Sequence, residues 1–323
     1  MSFACVFPGQ GSQSVGMLAA LAEAYPIVTA TFAEASEALG YDLWALAQHG
    51  PDEELNRTDQ TQPAMLTAGV AVWRVWQARG GAKPAFLAGH SLGEYTALVC
   101  AGAMSLPQAV ATVAERGRYM QEAVPAGLGA MAAILGLDDS AVIAACESAA
   151  QGEVVSAVNF NSPGQVVIAG HATAVARAVE HAKQAGAKRA VLLPVSVPSH
   201  CELMAPAAER LAVYLEKVDI KPPFIPVINN VNVIITHYPQ AIRDALVRQL
   251  VSPVRWVETI LSLSQCGVRT VIECGPGKVL AGLNKRIERE MTALPVFDPP
   301  SLDEALERAE LIIIPEGEHV IGK

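Results

Sequence analysis

The stretch Ala85-Phe86-Leu87-Ala88-Gly89-His90-Ser91-Leu92-Gly93-Glu94-Tyr95 sets the reading of the whole chain. An apolar run, Ala85–Ala88, ends at Gly89, and a helix-like segment, Tyr95–Ala101, follows. Between them lies G-x-S-x-G, so the segment has the strand–turn–helix setting of a nucleophile elbow. The physics is steric. A sharp turn holds Ser91 in a strained conformation and presents its hydroxyl, while glycines on both flanks let the backbone pass closely. The N–H of Leu92 then lies at a helix N-terminus, where donors are free and the dipole favours an oxyanion. The bland reading of the same residues is a strand-to-helix turn whose glycines serve packing.

Outward from this elbow, short apolar strands alternate with longer helical patterns, the signature of an α/β fold. Ala4–Phe7 reads as a strand, Ile27–Leu39 as a helix stopped by Gly40, Ala64–Ala78 as a buried helix, Val268–Glu273 as a strand and Pro276–Glu290 as turn plus helix. Residues 127–194 have their own rhythm. Ala130–Leu135 reads as a strand, Asp138–Ala150 as a helix, and Val154–Phe160 and Gln165–Ala169 as strands around the turn Asn161-Ser162-Pro163-Gly164. His171–Gly186 is helical and Arg189–Leu193 extended again. The order β-α-β-β-α-β is ferredoxin-like. The expectation is a discontinuous core, residues 1–126 and 195–323, interrupted by a small ferredoxin-like insertion, residues 127–194.

Composition narrows the function. The chain has 323 residues, 51% apolar and 17% charged, which is enough to bury a core and too little charge for disorder. A net charge of −9, from 23 basic and 32 acidic side chains, argues against nucleic acid or an anionic membrane as partner. No stretch reaches about 18 uninterrupted apolar residues, so no membrane span is expected, and no basic start followed by an apolar run marks a secretory signal. Cys5, Cys100, Cys146, Cys201, Cys266 and Cys274 are scattered, without a CxxC pair or a His/Cys cluster. Reduced thiols in a cytoplasmic protein, and no metal, are the expectation.

A serine needs a base to attack at neutral pH. Among the histidines, His49, His237 and His319 sit in polar or turn-like surroundings, His171 and His181 fall in the insertion, and His90 adjoins Ser91 and so points elsewhere. His200 remains, in Val197-Pro198-Ser199-His200-Cys201. Ser199 and Glu202 have capping-box spacing, which puts His200 in the first turn of a helix, where the positive dipole end keeps the imidazole neutral. The alternative is a histidine merely packed at a helix start. No acid nearby is an obvious orienting partner. An unpaired carbonyl at the end of the helix Ala241–Leu250, closed by Ser252-Pro253, is another source.

Ser105-Leu106-Pro107-Gln108 reads as a helix start, after which Ala109, Val113, Arg116 and Met120 share an apolar stripe. A buried guanidinium needs an anion. Glu94, Glu122 or a substrate carboxylate held bidentate would serve, and a snorkelling arginine is the alternative. Gly9-Gln10-Gly11-Ser12-Gln13 follows the first strand. It has Ser14 where a dinucleotide fingerprint needs glycine, and it lacks the lysine of a phosphate loop. It is either an ordinary turn or a second oxyanion donor beside Leu92.

Taken together, Phe7-Pro8-Gly9-Gln10-Gly11-Ser12-Gln13, Gly89-His90-Ser91-Leu92-Gly93-Glu94-Tyr95, Glu115-Arg116-Gly117, Asn159-Phe160-Asn161-Ser162-Pro163, Pro198-Ser199-His200 and Gly275-Pro276-Gly277 resemble the malonyl-CoA:acyl-carrier-protein transacylases. The motifs run in order from about residue 3 to 290, and the likeness is to the stand-alone bacterial enzymes of type II fatty-acid synthesis. The resemblance implies an α/β-hydrolase-like core with a parallel sheet and a ferredoxin-like insertion. It implies that Ser91 is malonylated, that His200 is the general base and that Arg116 grips the free malonyl carboxylate. It also implies that the N–H groups of Gln10 and Leu92 form the oxyanion hole and that the backbone carbonyl of Gln249 orients His200. The implied reaction is ping-pong transfer from malonyl-CoA to the phosphopantetheine thiol of acyl carrier protein, with no cofactor. Docking an acidic carrier on an acidic chain needs a local basic patch, for which Lys188-Arg189 and Lys285, Arg286 and Arg289 are candidates. Each also reads as an ordinary solvated face. Two rivals remain: a serine hydrolase with a carboxylate behind His200, and a silent carrier-binding module. Past about Pro295 the likeness fades, and Leu311–Ile314, before Pro315-Glu316-Gly317, has no counterpart; an extra strand is one reading of it.

Overall fold

The computed structural model describes residues 2–195 and 197–313. Its strands are β1 (Ser2–Phe7), β2 (Phe86–Gly89), β3 (Gly129–Leu135), β4 (Val155–Ser162), β5 (Gln165–His171), β6 (Arg189–Leu192), β7 (Val227–Ile228), β8 (Val268–Cys274) and β9 (Thr292–Val296). A strand of a parallel sheet is covered on both faces and reads as an unbroken apolar run. That is the character of Phe3–Phe7, every residue of which is buried. β1 is central in a sheet of order β7-β2-β1-β8-β9, with parallel pairing at each junction.

The register of this sheet builds the elbow. Phe7 pairs with Gly89, so β1 and β2 end side by side and their following turns emerge together. The turn at Ser91 leads straight into the helix Gly93–Cys100, which packs onto the strand ends. A Cβ on Gly93 would lie 2.1 Å from the Phe7 carbonyl oxygen, and one on Gly89 would lie 1.9 Å from the Gly93 backbone. Only a residue without a side chain tolerates such approach. Ser91 itself has φ 51°, the left-handed region that a side chain resists.

Behind the sheet, the buried helix begins at Thr58 rather than after Pro63, and runs to Ala78. Proline in a helix interior removes one backbone bond. Packing offsets that loss: the first turn of this helix is pressed by the helix Leu106–Ala123, where a Cβ on Gly117 would come within 2.7 Å of Asp59.

The second sheet has the order β4-β5-β3-β6, all antiparallel. Period-2 alternation gives it two different faces. Ala132, Ile134, Val166 and Ile168 pack under the helices Asp139–Ala150 and Ala172–Gln184. Met131, Val158, Val167 and Ala169 face the other way, against Cys201, Leu203 and Val195. The turn that carries His200 is thereby wedged between the two sheets. β4 is also stitched to the larger body, since Phe160 N–H donates to Val254 O at 3.0 Å and Val254 N–H donates to Val158 O at 2.8 Å.

Several elements lie outside the sequence reading, among them the helices Ala19–Ala24, Leu43–His49, Ala205–Leu215 and Trp256–Gln265 and the strands β7 and β9. β7 is only two residues long, too short for a periodic signal. After β9 the chain forms a helix, Pro299–Ile313, so Leu311 and Ile312 are helical and not an extra strand. Ser301 N–H donates to Asp298 Oδ1 at 2.9 Å at its start, and Leu302, Ala305, Leu306 and Ala309 bury one stripe. That i, i+3, i+4, i+7 spacing outweighs the β-branched residues at its end. Ile314, Pro315-Glu316-Gly317 and His319 lie outside the described residues.

Two glycines should respond oppositely to alanine. Gly93→Ala is expected to destabilise by about 1–3 kcal/mol through overpacking against Phe7. Gly282 is exposed in the helix Val279–Ile287 with nothing near its Cβ position; Gly282→Ala should stabilise by about 0.5–1 kcal/mol. Urea denaturation of the two variants against the parent measures both signs.

Candidate active site

Three separated segments converge at the elbow. Ser91 comes from the turn after β2, Arg116 from the middle of the helix Leu106–Ala123, and His200 from the turn after the small sheet. Ser91 Oγ lies 2.8 Å from His200 Nε2, and His200 Nδ1 lies 2.8 Å from the Gln249 carbonyl oxygen. A carbonyl can only accept, so Nδ1 carries the hydrogen and the Nε2 lone pair faces the serine hydroxyl. Gln249 closes the helix Pro239–Gln249, where the last carbonyls have no partner within the helix. Among the described residues no carboxylate stands behind the imidazole.

The capping box expected at Ser199 does not form. His200 adopts φ 65° in a tight turn, and the short 3₁₀ segment Glu202–Met204 follows it with Cys201 at its cap position. The Ser199 hydroxyl turns back to the Val197 carbonyl at 3.5 Å instead. A left-handed residue cannot enter a helix, which is why the spacing misleads. The imidazole is held neutral by other means. Burial and the Arg116 charge push its pKa down to about 3, against the opposing pull of the Gln249 carbonyl.

Arg116 is buried, 1% exposed. Its Nη1 donates to Gln62 Oε1 at 2.8 Å, its Nη2 to Gln249 Oε1 at 3.0 Å, and Nη2 stands 3.5 Å from Ser91 Oγ. Among the described residues it forms no ion pair. Of the two protein acids considered, Glu122 is at the surface with Arg118 and Arg210, and Glu94 reaches Arg116 only through the Gln249 amide. Among the described residues Nε has no hydrogen-bond partner. The guanidinium also lies over the Tyr95 ring, 5.5 Å from its centroid. A cation held by neutral groups beside a serine hydroxyl is a ready seat for an anionic substrate group.

Gln10 and Leu92 line the same cavity as Ser91, Arg116 and His200. Neither backbone N–H has an acceptor among the described residues. The adjacent ends of β1 and β2 bring both to the elbow. The Ser91 N–H, by contrast, is taken by Asn230 Oδ1 at 2.7 Å. His90 points away as expected: its Nε2 meets Asn161 Oδ1 at 2.8 Å and its ring lies beside Trp256. No group of three His, Cys, Asp or Glu that could hold a metal occurs among the described residues, and all six cysteines are free. No described helix is long and apolar enough to cross a membrane.

Sequence reasoning missed Gln62 and Asn230. Gln62 is 1% exposed, but it closes a run of five polar residues, Thr58–Gln62, at the head of its helix, and nothing local singles it out. Asn230 is wholly buried just past the two-residue β7, and no local pattern marks it.

Residues 4–297 match the acyl transferase domain family. A malonyl CoA-acyl carrier protein transacylase of Escherichia coli (strain K12) is 62% identical over 305 residues, 94% of this chain and 99% of that protein. The crystal structure of an acyl carrier protein S-malonyltransferase from Vibrio cholerae superposes with a TM-score of 0.92 at 62% identity, covering 94% of this chain and 99% of that one. A malonyl-transacylase in complex with its type II PKS acyl-carrier protein gives a TM-score of 0.94 at 60% identity, over 95% of this chain and all of that one.

Because the folded pKa of His200 lies far below the ordinary 6.5, its ring should not charge as pH falls from 8 to 5. Nitrogen-15 histidine spectra should show one ring whose Nδ1-protonated neutral pattern stays constant across that range. A ring at this position titrating near 6.5 would contradict the burial argument.

Proposed function

The chain belongs to the acyl transferase family and, within it, to the malonyl CoA-acyl carrier protein transacylases, and from that premise we propose how its residues divide the work. The reaction moves a malonyl group from malonyl-CoA to the phosphopantetheine thiol of acyl carrier protein, supplying fatty-acid synthesis. One observation carries the residue assignment: the Arg116 guanidinium, with neutral partners only, stands 3.5 Å from the hydroxyl that the neutral His200 can deprotonate.

The free malonyl carboxylate pairs with Arg116, which brings the thioester carbonyl to Ser91. His200 Nε2 takes the hydroxyl proton as Oγ forms its bond to the carbonyl carbon. The N–H groups of Gln10 and Leu92 hold the oxyanion. Collapse breaks the C–S bond, and the thiolate of CoA receives the proton from the imidazolium. A malonyl-Ser91 ester remains. The carrier thiol then gives its proton to His200, attacks the ester, and returns the serine with its proton. Every proton and charge in this cycle has a protein group to receive it, so we take the reaction to need no cofactor. The Gln249 carbonyl keeps the imidazole in the correct tautomer without adding a negative charge. A hydrolase reading would expect a carboxylate there. Soluble substrates and free thiols suit a cytoplasmic location.

The carrier would meet a basic rim. Leu135 pairs with both Gln165 and Arg189, and Arg286 Nη1 donates to Gln165 Oε1 at 2.9 Å, so these residues gather at one end of the small sheet. Lys188 and Lys285 flank them, exposed. Such rim charges act chiefly on encounter with an acidic partner.

Intact-mass analysis after exposure to malonyl-CoA or acetyl-CoA tests the assignment. The parent should gain a malonyl mass at Ser91, and Ser91→Ala should gain none. Arg116→Ala should lose about 10²–10³-fold in malonyl-over-acetyl preference, the equivalent of the 3–5 kcal/mol lost when a buried charge is unpaired. Equal labelling of the parent by both thioesters would remove Arg116 from this role. Arg189→Glu with Arg286→Glu should slow transfer to the carrier about tenfold while leaving Ser91 acylation unchanged.

A further inference from the structure

Glu94 is a buried acid, 2% exposed, without a cationic side chain in contact among the described residues. Burial pushes its carboxyl up to about 7, although two hydrogen bonds and the more distant Arg116 pull the other way. Those hydrogen bonds are its distinctive feature. One oxygen, Oε2, accepts from the Asn230 backbone N–H at 3.0 Å and from Gln249 Nε2 at 2.8 Å. These are the two amide residues that hold the active site. The Asn230 side chain accepts from Ser91 N–H and donates to the Gly89 carbonyl, each at 2.7 Å, and so braces the elbow across its strained residue. Gln249 receives Arg116 at its Oε1, donates to the Ser91 carbonyl at 3.1 Å, and receives His200 at its backbone carbonyl.

A primary amide has two ends of nearly equal size and opposite hydrogen-bonding sense. The one end of Gln249 must be an acceptor for the guanidinium, because NH₂ facing Arg116 would set donor against donor. An acceptor oxygen on the other side, Glu94 Oε2, favours that orientation. We propose that Glu94 is a positioning residue that fixes Asn230 and the Gln249 amide in place, and through them sets the elbow, the seat of Arg116 and the acceptor behind His200. No bond is made or broken at Glu94. The proposal rests on Ser91 being the acylated residue.

Length and hydrogen-bond acceptance, rather than charge, are then what position 94 must supply. Glu94→Gln keeps an acceptor oxygen at the same reach and removes the charge. Glu94→Asp keeps the charge and withdraws the acceptor by one methylene. Rapid-quench intact mass on the full chain, with malonyl-CoA and acetyl-CoA over a range of concentrations, separates the maximal acylation rate from half-saturation. Asp is expected to lower the maximal rate and the malonyl-over-acetyl preference by about 10²-fold, and Gln to stay within about tenfold of the parent. Near-ultraviolet circular dichroism checks that each variant is folded. Wild-type rate and preference in Glu94→Asp, or a greater loss in Glu94→Gln than in Glu94→Asp, overturns the proposal. Should the Asp chain not fold, Gln decides alone: a loss beyond about tenfold overturns it, retention supports it. Failure to label Ser91 in the parent would instead sink the nucleophile assignment, a separate result.

Discussion

A guanidinium sits in the interior of this protein with no anion beside it among the described residues. Arg116 meets two glutamine side-chain oxygens and an aromatic face, and one of its nitrogens meets nothing. Burying a charge on such terms is costly unless something else completes the pair. In the mechanism proposed above, the malonyl carboxylate does so. Much of the surrounding structure holds that charge with neutral groups. Gln62 and Gln249 satisfy donors without neutralising them. Glu94 is close enough to compensate part of the charge, yet it is separated from it by a neutral amide.

The same cation shapes the base. Its field and the exclusion of water hold His200 neutral, ready to accept the serine proton. A carboxylate behind the imidazole would raise its proton affinity and would also compete for Arg116. The backbone carbonyl of Gln249 orients the ring while contributing only a dipole. Ser91 and His200 are both left-handed residues, at φ 51° and φ 65°. Such conformations persist only where the surroundings over-determine them. At the elbow the surroundings are the glycine contacts with Phe7 and the bracing amide of Asn230. At His200 they are the two sheets that enclose its turn.

How legible this was depended on how local each cause is. The elbow could be read because strand, turn and helix are consecutive and the glycines are obligatory there. The β-α-β-β-α-β order of the small sheet could be read for the same reason, since each element carries its own periodicity. The stripe that buries Arg116 was visible at helical spacing, but its partner was not. Both acids offered by the sequence proved wrong as direct partners, because which side chains face a buried group depends on packing between segments far apart in the chain. The capping box at Ser199 failed because spacing alone does not report a backbone turned into the left-handed region. β7 and Asn230 left no signal, since two residues have no period.

Read alone, the amino-acid sequence carries the alternation of elements, the turn that presents Ser91, the candidacy of His200 among seven histidines, and the apolar stripe that buries one arginine. These follow from short-range sterics and from apolar periodicity, which act within a turn or a strand. The tertiary structure alone decided that the arginine stays unpaired, that the imidazole leans on a carbonyl, and that Glu94 and Asn230 hold the site together. Those outcomes turn on distances of about 3 Å between groups separated by up to 158 positions. Only the closed packing of the two sheets and their helices sets distances of that kind.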